Sequence, residues 1–111
     1  MREKVDDLGV AKKYISLEKS AKDRGIEFSL SFRKLKKLLN TRRCFFTNVI
    51  LEPAGTNPRS LTLDRVDASK GYTDDNVVAC CQEFNSKKSN LTAIDIVMLY
   101  GGLQKNLNNK R

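Results

Sequence analysis

Between Ser60 and Asn90 the chain changes its hydrophobic period twice. "SLTLDRV" alternates, with Leu61 and Leu63 on one face and Thr62 and Asp64 on the other, the period of a strand. "DASKGYTDD" consists mostly of turn formers, "NVVACC" reads as a second strand, and "QEFNSKKSN" as a short helix. A ribbon and a short helix bury little apolar surface by themselves. Any fold that contains this unit must borrow its core from the flanking segments. The expected class is therefore α+β, a small ribbon packed among helices.

The flanks supply those helices. "KKYISLEKSAKDRG" carries Tyr14, Ile15, Leu17 and Ala21 among charges and ends at Gly25, as an amphipathic helix with a glycine stop does. "IEFSL" reads as a short extended piece. Ser31 opens "FRKLKKLLN", where Phe32, Leu35, Leu38 and Leu39 share one helical face and Asn40 ends it. "CFFTNVIL", residues 44–51, suggests a tight ribbon around Thr47-Asn48, and "EPAGTNPR" a loop. Thr92 and Asp95 have capping-box spacing for a last helix through about Tyr100, where Gly101-Gly102 is expected to break it before a polar tail. The 111 residues suit one domain. Its parts are a basic helical section over 1–43, a core over 44–92, and a C-terminal helix and tail over 93–111. Apolar runs are too short to span a membrane, and "MREKVDDLGV" lacks a signal-peptide core, so a cytosolic protein is expected.

Charge narrows the partner. The net charge is +8, and residues 1–43 hold 13 Lys/Arg against 6 Asp/Glu, so most of the positive field lies in that third. "LSFRKLKKLLNTRR", residues 30–43, has six basic residues and no acid. A patch of that kind is the electrostatic footprint of a polyphosphate partner. Cys44, Cys80 and Cys81 are odd in number, and two are adjacent, which is a poor disulfide framework and fits a reducing compartment.

Taken in order, four features resemble the HNH, or ββα-metal, nucleases common in bacteriophages. They are Asp64 at the end of the first strand, "KGYT" in the turn, Asn76 before the second strand, and the "N..K" of Asn85 and Lys88. The upstream "SAKDRGIEFSLSFRKLKKLL", followed by Cys44, is similar to the segment before the motif in small phage members, so the resemblance covers residues 18–92. It implies a ββα-metal motif packed with flanking helices, and a metal-dependent DNA endonuclease or nickase working in the cytoplasm of a bacterial host. By that resemblance the catalytic set is Asp64, Arg65, Asn76 and Asn85. Asp64 and Asn85 hold Mg²⁺ or another divalent cation, and Asn76 braces the loop. A hard cation suits such oxygen donors and polarises a scissile phosphate. The expected nucleic-acid contacts are Arg33, Lys34, Lys36, Lys37, Arg42 and Arg43, with Arg65, Lys87 and Lys88.

Two departures from the family pattern bear on activity. Arg65 stands where the general-base histidine usually is, and the chain has no histidine. A guanidinium stays protonated and has no acceptor, so it clamps phosphate but takes no proton from water. Tyr72, Asp67, Glu83 or a metal-bound water must then serve as base, and loss of a general base typically costs about 10²–10⁴ in rate. Second, relatives often carry two Cys-x-x-Cys pairs for structural zinc. Here they read Cys44-Phe45-Phe46-Thr47 and Cys81-Gln82-Glu83-Phe84, each with one cysteine left. A tetrahedral site needs four ligands, so structural zinc is not expected, and Phe84 suggests apolar packing in its place.

Three functions follow from these residues. One is a DNA endonuclease, favoured by Asp64, Asn76 and Asn85 standing in register. Another is a weakened HNH scaffold that binds DNA or RNA, favoured by the missing histidine. The third is a phage product that binds and inhibits a host protein.

Overall fold

The computed structural model describes residues 3–108. Its elements are α1 (Asp7–Asp23), α2 (Phe32–Leu39), β1 (Leu61–Arg65), β2 (Val77–Cys81), α3 (Gln82–Lys88) and α4 (Ala93–Asn108). The class is α+β, a two-stranded antiparallel sheet among helices.

Helix α1 starts earlier than its apolar pattern, because Asp6 caps it by accepting from the Gly9 N–H at 2.9 Å. It ends at Arg24, and Gly25 follows at φ 67°, a left-handed conformation that glycine adopts without a Cβ penalty. Ser31 caps α2 through the Lys34 N–H at 3.1 Å, and Asn40 closes it. Leu35, Leu38 and Leu39 are buried, while Phe32 is left at the rim against Tyr14. The "CFFTNVIL" segment forms a tight turn with Asn48 at φ 63°, bracketed by an Arg43–Ile50 bridge.

The ribbon pairs Leu61 with Cys81 and Asp64 with Val78. Its inner face, Leu61, Val77, Ala79 and Cys81, joins Val10, Leu17, Ala21, Leu30, Leu35, Leu38, Leu39, Cys44 and Leu51 in one core. The flanking helices thus supply what the ribbon lacks. Segment 27–29 runs beside the turn: Tyr72 N–H donates to the Glu27 carbonyl at 2.8 Å and Ser29 N–H to the Tyr72 carbonyl at 2.9 Å. Gly71 is needed there, since a Cβ would meet the Glu27 Cβ and carbonyl oxygen at 2.5 Å.

The last helix corrects the expected break. α4 continues through Gly101-Gly102 to Asn108. The capping box does form, Thr92 N–H to Asp95 at 3.0 Å and Asp95 N–H to Thr92 Oγ1 at 3.1 Å. The helix nucleated there outlasts two glycines, each costing about 1 kcal/mol against alanine. No residue of α4 is buried. Among the described residues, no helix is long and apolar enough to cross a membrane.

Candidate functional site

Asp64 stands next to last in β1, and α3 leaves the end of β2 directly, so helix and strand meet at one joint. The residue that reaches Asp64 across the joint is Lys88. Its Nζ lies 3.0 Å from Asp64 Oδ2, with the lysine side chain fully buried and the aspartate 12% exposed. The ammonium also donates to the Arg65 carbonyl at 3.5 Å and sits 5.5 Å from the Phe46 ring centroid. Oδ2 is buried and has no hydrogen-bond partner of good geometry, so this oxygen is charge-paired off the hydrogen-bond line. This corrects the expectation that Lys88 contacts nucleic acid: it is 1% exposed and belongs to the interior. The sequence carried a faint signal. Lys87 and Lys88 are adjacent on a helix, so they point about 100° apart, and one of them can face inward.

Asn85 lies three residues before Lys88 and therefore on the same side of α3. It is partly buried. Asp64 and Asn85 offer one carboxylate and one amide oxygen, the hard donors that Mg²⁺ takes. With Oδ2 facing Lys88, the fit rests on Oδ1, because the remaining exposure of Asp64 lies away from the buried oxygen. Among the described residues, no group of three or more His, Cys, Asp or Glu is placed to hold a metal ion.

Asn76 is 6% exposed, and its side chain is spent on the turn. Its Oδ1 accepts from the Asp67 N–H at 3.0 Å, and its Nδ2 donates to the Asp67 and Gly71 carbonyls at 3.1 and 2.9 Å. It acts as a brace. Arg65 is held likewise, Nη1 donating to the Ala68 and Lys70 carbonyls at 2.9 Å each. Its guanidinium lies 5.4 Å from the Tyr72 ring centroid, and that of Arg24 lies 5.7 Å from it. Arg24 also donates to the Tyr72 hydroxyl at 2.7 Å.

The candidate bases are engaged elsewhere. Asp67 accepts from the Ser69 hydroxyl at 2.6 Å and its N–H at 2.9 Å, which lowers its pKa. Glu83 pairs with Lys87 at 3.6 Å on the surface. Asp74, which the sequence reading passed over, accepts from the Ser31 N–H at 2.7 Å and ties the turn to the start of α2; that bond holds its carboxyl below the usual range.

Of the basic set, Arg33, Lys37, Arg42 and Arg43 are exposed, and Lys34 and Lys36 are partly buried. Lys36 pairs with Asp7 at 2.7 Å, and Arg43 donates to the Asn48 carbonyl at 3.0 Å. The three thiols are buried and free. Burial disfavours the Cys44 thiolate, but hydrogen bonds from Thr47 and from the Cys81 and Phe46 backbone outweigh it and bring the pKa to about 7. Burial pushes Cys80 up to about 12. Phe46 and Phe84 pack at 5.1 Å beside them.

Fold and joint together define a class: an α+β ribbon-and-helix protein of HNH-like architecture. The chain superimposes on the rare-cutting HNH restriction endonuclease PacI with a TM-score of 0.63, over 91% of this chain and 80% of that one. The sequences are 18% identical, so the likeness is one of fold. In sequence the chain is similar to an uncharacterized 29.0 kDa protein from the dda-modA intergenic region of Enterobacteria phage T4. The two are 30% identical over 80 residues, which are 70% of this chain. The chain spans 31% of the length of that relative. No family model matches.

Proposed function

We propose that this chain is a nucleic-acid-binding protein of the HNH nuclease type, with DNA as its partner and phosphodiester cleavage as its activity. The observation that carries this reading is the joint itself. A carboxylate stands next to last in β1, α3 meets it through Lys88 with Asn85 one turn earlier, and an asparagine-braced turn follows the strand. Mg²⁺ or Mn²⁺, when bound, supplies Lewis-acid polarisation of a phosphate oxygen. Asp64 Oδ1 and Asn85 are the residues to hold it. Asn76 keeps β1 and the turn in register. Arg65, held by the turn carbonyls and against Tyr72, keeps a positive charge at the end of β1 without serving as a base. Arg33, Lys37, Arg42 and Arg43 hold the backbone of the nucleic acid by charge.

A second reading, binding without cutting, has one observation in its favour. The Asp64 carboxylate already has a cation, Lys88, on one oxygen, and no histidine stands by to accept a proton. RNA as the ligand and a host protein as the target have no comparable support.

Supercoiled plasmid with Mg²⁺ or Mn²⁺, with and without chelator, separates the readings. The nuclease gives nicked circles that chelator prevents and that Asp64→Asn lacks. Retarded but intact plasmid leaves the binding scaffold. No retardation at low salt removes both.

A further inference from the structure

We infer that Cys44 and Cys81 form a redox modification site, which a hydroperoxide converts to a disulfide between them. The two residues meet where the turn over 44–51 lies against the start of α3. Cys81 ends β2 and is the N-cap of α3. Its N–H donates to Cys44 Sγ at 3.4 Å, and its own sulfur is three bonds from that nitrogen. The Thr47 hydroxyl touches Cys81 Sγ at 3.9 Å and also bonds Cys44, so one hydroxyl spans both sulfurs. The Phe45 N–H donates to the Ala79 carbonyl at 2.9 Å and holds the two backbones side by side. A disulfide needs Cα atoms about 4.4–6.8 Å apart, a separation typical of neighbouring hydrogen-bonded backbones. Both thiols are free.

Cys80 is set apart from this pair. Successive strand residues point to opposite faces, and the Cys80 thiol donates to the Cys81 carbonyl at 3.4 Å. Burial keeps it protonated. Burial also works against a thiolate at Cys44, but the donors from Thr47, Cys81 and Phe46 outweigh it and give a nucleophile near neutrality. A cavity of about 200 Å³, with Thr47, Val49, Cys81 and Phe84 in its wall, leads a small oxidant to the pair. The Cys44 thiolate attacks the outer peroxide oxygen and the O–O bond breaks. That oxygen stays on sulfur as a sulfenic acid, and the other leaves as hydroxide or alkoxide and takes a proton from water. Cys81 sulfur then attacks Cys44 sulfur. The S–O bond breaks, and the oxygen departs as water with the Cys81 thiol proton. Two electrons have passed from the two sulfurs to the peroxide.

The test is hydrogen peroxide, in slight excess at neutral pH, added to the reduced full chain in buffer and in urea. Thiols are then counted in denaturant and the peptides mapped. In buffer the free thiols should fall from three to one, with Cys44 joined to Cys81, and dithiothreitol should restore them. In urea that bond should form about 10-fold more slowly or worse, because the fold no longer holds the sulfurs together. Cys81→Ser should stop at the sulfenic acid, which dimedone captures on Cys44; should that variant fail to fold, the wild-type map decides alone. Three thiols surviving the peroxide overturn the inference. So does a bond that includes Cys80, a cross-link between chains, or a Cys44 sulfinic acid in place of the disulfide. A Cys44–Cys81 bond that forms as fast in urea as in buffer overturns it too.

Discussion

Lys88 and Asp64 form a pair whose strength can be worked out from its geometry. At 3.0 Å between Nζ and Oδ2, and with an effective dielectric near 20, the attraction is roughly 5 kcal/mol. Taking each ion out of water costs several kcal/mol, so the pair as a whole adds little to stability. Removing one partner is a different matter, because the other stays buried and uncompensated. Asp64→Asn and Lys88→Met should each destabilise by about 3–5 kcal/mol. In a chain of this length that lowers Tm by at least ~10 °C. The double variant replaces the pair by neutral groups and should recover most of the loss, a coupling of about 2 kcal/mol or more. Urea unfolding of the four proteins, with m held constant, measures this cycle. If either single variant lies within ~0.5 kcal/mol of wild type, the ammonium is not sealed in the joint and the reasoning fails. Calorimetry with Mn²⁺ on the same proteins gives a further readout. Lys88→Met should bind the ion more tightly than wild type, since a fixed positive charge beside the carboxylate is gone, and Asp64→Asn should bind it least.

Other outcomes follow from single contacts. Asn76→Ala removes three side-chain hydrogen bonds from the turn and should cost about 2–4 kcal/mol by urea unfolding, since it leaves buried backbone groups unpaired. The Cys44 pKa is lowered from 9.0 to about 7, so its contribution is present above pH 9 and is lost as pH falls through 7. The Cys80 pKa is raised from 9.0 to about 12, so its contribution is present below pH 9 and is lost as pH rises through 12. Stability should therefore climb from pH 7 to 9 by on the order of 2–3 kcal/mol. Cys44→Ala should flatten that climb, and Cys80→Ala the decline above 9. Reversing Arg33, Lys37, Arg42 and Arg43 to glutamate should abolish salt-sensitive DNA retardation without moving Tm, because none of the four is buried; unchanged affinity in a shift assay refutes the basic-surface assignment.

Much of this architecture was legible because local signals and tertiary need agree. The alternation at 61–65, the Ser31 and Thr92 caps and the turn chemistry each specify an element by themselves, and the structure places α3 where the apolar-to-polar switch at Gln82 falls. What periodicity cannot show is where a long side chain sends its charge. Lys88 looked like one more surface cation, and only the depth of the joint turns it inward. Arg65 looked free to clamp phosphate, but the carbonyls of the turn it adjoins claim its Nη1. The misread end of α4 has a local cause: two glycines weaken a helix without ending it when Leu99, Leu103 and the capping box support either side.

The bonds between segment 27–29 and the turn at 71–72 bear on how the chain folds. The hairpin from Leu61 to Cys81 closes a short loop and can form early by itself. Its turn is set only when residues more than forty positions away arrive, bringing the Glu27 and Ser29 contacts with Tyr72 and the Asp74 bond to Ser31. Loop closure over that distance is slow relative to the hairpin. Strand pairing should thus precede the fixing of Asp64 and Arg65, and the joint is completed late. Asp74→Ala, which removes the bond to the Ser31 N–H, should then speed unfolding with little effect on the folding rate.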